Sequence, residues 1–424
     1  MFPDSRKVIW LIIQFLLAAI KNVESFALDL DQLAVDNFRN YLRIPSVQPN
    51  VNYTPCVTFL RKQAESLNLP IKIVEFAPNK PHVIITWKGT EHEKSSILLS
   101  GHMDVVPVFP DKWIHPPFGA EMDEEGNIYA RGSQDMKSVS IQHIEAIRRL
   151  KLGGIRLKRT IHLHFAPDEE IGGLFGMRAF VKSQDFKDLN VGFGLDEGGI
   201  SEGNDIIVTY AEKSPYQIWI NCPGEEGHGS TLLNNTAGEK LRSIIDRFMD
   251  YRASEKAKLK DPRVKSGNVT SINLTMMKGG VQLNVVPGEL SVAFDIRIPP
   301  DVKIYQEFEK MTQGWLKNIG CEIDDETKNH PLPIKGTKLD ENNIYWTSFR
   351  EACLESGVNI DLSIAPWGTD ANSLRAIGIP ALGFSPINNT PPLLHAHNEY
   401  LNKDIFLKGI TIFINIITAI ANVK

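Results

Sequence analysis

The stretch LLSGHMDVVPV at 98–108 sets an imidazole, His102, and a carboxylate, Asp104, two residues apart, just where an apolar run stops. In open α/β sheets, ligands bind beyond the carboxyl ends of strands, so a polar pair at that point is placed to meet one. A histidine followed by an acid two residues on suits a metal ligand and the group that orients it; a solvated loop pair is the plainer alternative. The pattern recurs. RGSQDMK puts Asp135 at a turn ahead of a helix, and RTIHLHFAPDEEIGG ends a strand in Asp168, Glu169 and Glu170. VGFGLDEGG ends another in Asp196 and Glu197, and PPLLHAHNEYL supplies His395 and His397. Capping or solvation accounts for a single acid at a loop. It does not account for a whole series of them aimed at one sheet edge.

Two histidines and three carboxylates are ligands suited to Zn²⁺. A pair of ions about 3.5–4 Å apart needs one bridging carboxylate and separate terminal ligands. The adjacent pair Glu169-Glu170 fits a division of labour, one residue on metal and the other handling a proton. A metal-bound water has its pKa lowered towards ~7, within reach of a glutamate base. The chain has no HExxH, which excludes the thermolysin-type arrangement.

These residues must be held by something. Helical patterns at 31–44 and 56–69 precede strand-like runs IKIVEF, HVIITW and SSILLSG. Residues 134–150 follow a 3.6-residue period through Met136, Val139, Ile144, Ile147 and Leu150. A strand (RTIHLHFAP), a helix (GLFGMRAFVKS) and a strand (VGFGLDE) come next. Strands alternating with helices predict a mixed, mostly parallel sheet covered by helices, an α/β architecture. Near Glu212 the rhythm becomes β-α-β-β-α, from YQIWINCPG to DVKIYQEFEKMTQGWLKNI, which predicts a smaller α+β unit inserted in the larger one. The expected division is 26–211 and 328–424 for the large unit and 212–327 for the small one.

The 424 residues exceed one ordinary core. A net charge of −5 without a long basic run excludes nucleic acid as a partner. Residues 1–25 read as a signal peptide: Arg6 and Lys7, an apolar run from Val8 to Ile20, then Val23-Glu24-Ser25. The alternative is an uncleaved anchor. Secretion is the expectation, with no stable membrane insertion after cleavage. The four cysteines, Cys56, Cys222, Cys321 and Cys353, show no CxxC pairing, and their spacing selects no disulfide. Acceptor triplets for N-glycosylation stand at Asn52, Asn234, Asn268, Asn273 and Asn388.

SGHMDVVPV, YARGSQDMK, PDEEIGG, LDEGG, GHGS, NVVPGELSVAFDIR and LLHAHNE, in this order, resemble the dizinc aminoacylase/carboxypeptidase metallopeptidase family. The resemblance covers nearly the whole chain after residue 25. It implies two zinc ions per subunit, with His102 and Glu197 on the first, Glu170 and His395 on the second, and Asp135 bridging. It implies that Asp104 orients His102 and that Glu169 is the general base. From the inserted unit, which takes a ferredoxin-like form and serves the family as lid and dimerisation domain, it implies His228 on the reacting carbonyl oxygen, often from the partner subunit. Asn284 and Arg297 then help to hold the oxyanion and the substrate carboxylate, where Arg gives a bidentate grip. Gly368 and Thr369 meet that carboxylate as well. In WGTDANSLR, Asn372 stands where the family tends to carry Arg, which puts substrate preference in doubt.

The expected activity is zinc-dependent hydrolysis of N-acyl-L-amino acids to a carboxylate, acetate or fatty acid, and a free amino acid. The expected assembly is a homodimer. A dipeptidase or carboxypeptidase with the same site is the first alternative, and a silent extracellular binding module the second. The intact Glu169 speaks against silence.

Overall fold

The computed structural model describes residues 28–325, 329 and 331–424; the signal peptide expected at 1–25 lies outside them. Chain order begins with helices α1 (28–42) and α2 (Thr54–Ser66), then strands β1 (Ile71–Glu75), β2 (Pro81–Trp87) and β3 (Ser96–His102). The short strands β4 (Glu121–Met122) and β5 (Asn127–Tyr129) lead to α3 (Lys137–Leu152) and β6 (Ile161–Ala166). Single-turn helices α4 (Met177–Phe180) and α5 (Gln184–Lys187) come before β7 (Val191–Asp196) and β8 (Ile206–Glu212).

A second unit follows: β9 (Ser214–Pro223), β10 (Gly227–His228), α6 (Ala237–Lys258), β11 (Ser271–Gly279), β12 (Val285–Val286), β13 (Glu289–Ile298), α7 (Val302–Ile319) and β14 (Glu322–Ile323). The chain then returns through α8 (Ile344–Glu355), β15 (Ile360–Ala365), α9 (Ala371–Ala376), β16 (Ala381–Phe384), β17 (Tyr400–Asn402) and α10 (Lys403–Ala421).

The large sheet has eight strands in the order β1-β2-β6-β3-β7-β16-β8-β15. Its centre, β6-β3-β7-β16, is parallel, as is the β8-β15 pair; β1, β2 and the β16-β8 junction are antiparallel. Strands covered on both faces have no solvent side, and β3 and β6 are buried at every residue. Alternation assigns the faces. Val83, Ile85, Ile97, Leu99, Leu163 and Phe165 point into the main core with α3, α8 and α10. Ile84 and Leu98 point the other way, against Met177, Phe180 and Leu374. Helix α10 is long and apolar enough to cross a membrane, yet Phe406, Ile410, Phe413, Ile416, Ile417 and Ile420 are buried, so its length is spent on the core.

The smaller sheet is antiparallel throughout, in the order β11-β13-β9-β14, and has a core of its own around Phe248, Phe294 and Phe308. A capping box of Thr236 and Glu239 starts α6, and Asp301 caps α7. Cys222 and Cys321 form a disulfide within this unit; Cys56 and Cys353 are free and buried.

Two elements depart from the sequence patterns. The helix expected across 173–183 contracts to the single turn α4, because the chain must first close a tight loop. Gly172 and Gly173 take positive φ, and a Cβ on Gly176 would stand 2.4 Å from Pro167 O and from the Asp168 carboxylate. Helix α3 starts at Lys137, not at 134, because the amides of Gly132, Gln134 and Asp135 are turned onto Glu399.

Candidate metal centre

Parallel pairing aligns the carboxyl ends of β3, β6 and β7. His102 closes β3 opposite Ala166 in β6, and Glu197 directly follows β7. Glu169 and Glu170 come three and four residues after the end of β6. The strand ends thus deliver His102, Glu169, Glu170 and Glu197 to one edge, where Asp135 and His395 join them on loops. His102 Nε2 lies 3.0 Å from Asp135 Oδ1 and 3.5 Å from Glu197 Oε1. His395 Nε2 lies 3.2 Å from Asp135 Oδ2 and 3.1 Å from Glu170 Oε2. Asp135 therefore presents one oxygen to each histidine. Ligand atoms of His102, Asp135 and Glu170 gather within 4.8 Å of one another, as do those of His102, Glu169 and Glu197.

Several of these residues are held by partners outside the cluster. His102 Nδ1 lies 2.9 Å from the Asp104 main-chain carbonyl and 3.6 Å from its carboxylate, so the carbonyl takes the N–H and leaves Nε2 bare for a metal. The Asp104 carboxylate turns to the neighbouring loop. It accepts from Glu169 N (3.3 Å), Glu170 N (3.2 Å) and Gln48 Nε2 (2.7 Å). Asp135 is set by buried Glu399, whose carboxylate accepts from Gln134 N (2.7 Å), Gly132 N, Asp135 N and Arg131 Nη1 (2.5 Å). Arg131 also reaches the His395 carbonyl, tying both halves of the site together.

The electrostatics ask for a cation. Burial, then Asp135, pushes the Glu197 carboxyl well above its ordinary range; burial, then Glu197 and Asp370, does the same to Glu169. Burial and Asp135 raise Glu170. Burial opposes a charge on His102, but Glu197, Asp104 and Asp135 hold it well above the usual imidazole value. Hydrogen bonds with Asp135 and Glu170 push His395 up to about 10. Protons gather where a multivalent ion would neutralise the same carboxylates. Glu170 Oε1 is buried without a hydrogen-bond partner. Four carboxylates and two imidazoles in this cup fit a pair of zinc ions in both donor type and charge.

The remaining expected residues are not gathered there. His228 and Asn284 are neighbours in the second unit, where β10 pairs with β12 and Gly229 N donates to Asn284 O. Both are exposed; His228 Nδ1 bonds Ser230 Oγ, and Asn284 Oδ1 accepts from Gln282. Arg297 makes a fork onto Asp295. Gly368 is exposed, while the N–H and hydroxyl of Thr369 both donate to buried Glu212, which Arg375 also clasps. Asn372 N–H donates back to Thr369 O. His397 sits outside the cluster, edge-on to Phe109. Asp168 and Asp196 serve backbone amides, those of Phe175 and Ala371.

Sequence patterns did not single out Glu399, Arg131, Glu212, Arg375 or Asp370. Glu399 lies in the same LLHAHNE string as His395, and an acid beside a ligand histidine was a signal available to be read. Gly199-Ile200-Ser201-Glu202-Gly203 spells the Gly-x-Ser-x-Gly of a nucleophile elbow but is not one. Ser201 Oγ accepts from Gly203 N, and the chain runs on into β8, not into a helix.

Known proteins resemble this chain over most of its length. The profile of Peptidase family M20/M25/M40 matches residues 98–419. Aminoacylase-1 of Mus musculus is 46% identical over 391 residues, 92% of this chain and 96% of that protein. Aminoacylase-1 of Homo sapiens is 43% identical over the same shares. Among solved structures, a tripeptidase from Staphylococcus aureus aligns with a TM-score of 0.72 at 19% identity, covering 92% of this chain and 98% of its own. An M20 metallo-carboxypeptidase from Sulfolobus solfataricus aligns at 0.69 and 17% identity, covering 92% and 99%. The chain belongs to Peptidase family M20/M25/M40.

Proposed function

We infer that this chain is a zinc-dependent amidohydrolase that splits N-acyl-L-amino acids into a carboxylate and a free amino acid. One observation carries the reading. Asp135 offers an oxygen to His102 at 3.0 Å and another to His395 at 3.2 Å, in a chain 43–46% identical to several aminoacylase-1 enzymes. His102, Glu197 and Asp135 would hold one zinc ion, and Glu170, His395 and Asp135 the other. Zinc, when bound, supplies the positive charge that polarises the acyl carbonyl and acidifies a water.

Glu169 takes a proton from the attacking water as its oxygen bonds to the acyl carbon. It returns that proton to the amide nitrogen as the C–N bond breaks. Burial pushes its carboxyl above the ordinary range, the direction that makes a carboxylate a better proton acceptor. Asp104 sets both the histidine and the base, through its carbonyl and its carboxylate respectively.

The β9–β14 unit acts as lid and dimerisation domain in this reading, spanning the expected 212–327. The support is twofold. β11 is an edge strand with Met276 and Met277 exposed, and Val281 and Leu283 just beyond, an apolar edge that a second copy covers. His228 and Asn284 lie exposed in the same unit, free to meet a substrate held by another subunit. Arg297, Gly368 and Thr369 take the substrate carboxylate when the lid closes, with Thr369 exchanging Glu212 for it. Secretion belongs to the same reading. Cys222–Cys321 is a disulfide suited to an oxidising compartment, and N-terminal sequencing is expected to start near Phe26. Of the five acceptor triplets, Asn388 is buried and donates to Asn204 O, so glycans belong on the other four.

The test is a hydrolysis profile of the zinc-loaded protein over N-acetyl amino acids, N-fatty-acyl amino acids and dipeptides. Release of free amino acid from the acylated compounds is expected. Turnover of dipeptides alone would move the chain to a peptidase role.

A further inference from the structure

Three buried histidines, His82, His162 and His164, stand outside the metal centre on the face of the large sheet opposite the main core. Alternation puts them there: His82 shares a face with Ile84, and His164 shares one with His162 and with Ser100 of the neighbouring strand, opposite Leu163 and Phe165. His164 stacks on Phe180 with ring centroids 4.5 Å apart. His82 and His164 touch each other, His82 Nδ1 lying 3.0 Å from His164 Nε2. His82 Nε2 lies 3.0 Å from the main-chain carbonyl of Phe175.

The proton positions follow from the last contact. A carbonyl only accepts, so His82 Nε2 carries the hydrogen and donates to Phe175 O. Desolvation pushes the His82 pKa down to about 4 and that of His164 well below the usual value, so both rings are neutral. A neutral ring has one bare nitrogen, hence His82 Nδ1 accepts and His164 Nε2 donates to it. His164 Nδ1 is then bare and faces Ser100 Oγ at 3.5 Å, a weak last link. Every hydrogen in the relay points towards the Phe175 carbonyl.

Phe175 closes the loop that carries Glu169 and Glu170. Asp168 O accepts from Gly173 N at 2.8 Å, and the Asp168 carboxylate accepts from Phe175 N at 3.1 Å, so 168 and 175 are tied together. The loop's near leg is pinned by the Asp104 carboxylate on Glu169 N and Glu170 N. Its far leg has His82. Without that donor the Phe175 carbonyl loses its side-chain partner, and the far leg loses its hydrogen bond to the sheet.

We propose that His82, oriented by His164, is a positioning residue that locks the 168–175 loop and thereby the carboxylate of Glu169. The proposal rests on the reading of Glu169 as the proton-transfer group. It deals with a loop-locking contact and not with a further ligand or acid.

Two substitutions separate this role from mere packing. Glutamine places an amide nitrogen where His82 has Nε2 and can still donate to Phe175 O. Asparagine matches only the Nδ1 position, keeps a contact to His164 and falls short of the carbonyl. In zinc-loaded His82→Asn, amide hydrogen exchange across 167–176 is expected to quicken about tenfold, the scale of one lost buried hydrogen bond. kcat for an N-acetyl amino acid is expected to fall roughly 10- to 100-fold with KM and zinc content near wild type, the mark of a misplaced reacting group. His82→Gln is expected to restore both. Wild-type exchange in the loop of a folded His82→Asn protein, or equal damage in Asn and Gln, overturns the proposal. If His82→Asn does not accumulate, His164→Phe withdraws the donor that fixes the His82 tautomer while keeping the stack on Phe180. Faster exchange confined to 167–176 then supports the lock, and wild-type exchange there sinks it. The exchange readout does not depend on the substrate. A loop that loosens in a protein whose wild type leaves N-acyl amino acids intact removes the proposed function and keeps the lock.

Discussion

The two sheets handle their functional residues in opposite ways. At the carboxyl edge of the eight-stranded sheet, residues from five loops meet within hydrogen-bond distance, with His102, Asp135 and Glu197 buried and His395 at the exposed rim. In the second unit, the side chains of His228 and Asn284 are exposed and bond to near neighbours in sequence, Ser230 and Gln282. The large sheet builds its site from strand ends that pairing alone brings together. The small one keeps His228 and Asn284 away from that edge, and under the proposed function a closed lid or a second subunit would bring them to it. One set is gathered within a single chain; the other is not.

The sharpest way to break this comparison is to remove the ions. Dialysis against a chelator is expected to abolish hydrolysis altogether and to leave the β9–β14 unit folded, because its core of Phe248, Phe294 and Phe308 shares no residue with the centre. Zinc should restore activity. Full activity in a metal-free preparation, checked by elemental analysis, would remove the mechanism.

In the proposed mechanism the adjacent glutamates have different work, and substitution can part them. Glu169→Gln keeps size and an acceptor but takes no proton; turnover should drop by about 10²–10⁴ with both zinc ions retained. Glu170→Gln should lose zinc from one position, because an amide is a poorer ligand than a carboxylate. Zinc content and hydrolysis measured on both variants decide the matter, and the reverse pattern exchanges the two assignments.

Across the comparison lies His228→Ala. An exposed side chain contributes little to stability, so zinc content and thermal midpoint should stay at wild-type values. If His228 donates to the oxyanion as proposed, its loss should still cost about 10² in kcat. If the partner subunit supplies His228, mixing inactive His228→Ala and Glu169→Gln chains recovers activity, since one of the two sites in each mixed dimer has both groups. A mixture as dead as its components assigns His228 to its own subunit or to no role.

The same contrast explains what could be read without coordinates. His102, Asp135, Glu170, Glu197 and His395 were legible because ligand types at strand ends stand out in an apolar context, and the family resemblance then told their roles apart. Glu399 was not, although it organises Asp135: its partners Arg131 and Gln134 lie more than 260 residues away in the chain. Glu212 with Arg375 and Thr369 fails for the same reason. The layer order and the β-α-β-β-α rhythm were visible in periodicity. The strands β8 and β15, at one side of the large sheet, were not, since IDLSIA mixes polarity and IIVTYAE sits where one pattern gives way to another. Patterns report what a residue faces; they are silent on which distant residue faces it.

Buried imidazoles mark the last difference between the two units. Among the described residues, His82, His143, His162 and His164 are all buried in the large unit, and the small one has only exposed His228. His162 is the simplest to isolate, because its contacts to Thr86 and to Leu189 O lie apart from the catalytic loop. Desolvation lowers its pKa to about 4 in the fold, against roughly 6.5 in an unfolded chain. Folding therefore favours the neutral ring. Its contribution is complete above pH ~6.5, shrinks as the unfolded chain takes up a proton below that, and is lost as pH falls through about 4. Other groups titrate in this window, the metal-binding carboxylates above all, but they are common to wild type and His162→Gln. The stability difference between these two proteins cancels them. That difference should narrow by about 1.4 kcal/mol per pH unit between roughly 6.5 and 4, and stay flat above 7. Urea unfolding of both proteins at several pH values, followed by amide exchange in β6, gives the measurement. A difference that does not change with pH means that His162 takes up its proton as readily in the fold as in the unfolded chain, and the idea that burial keeps it neutral then fails.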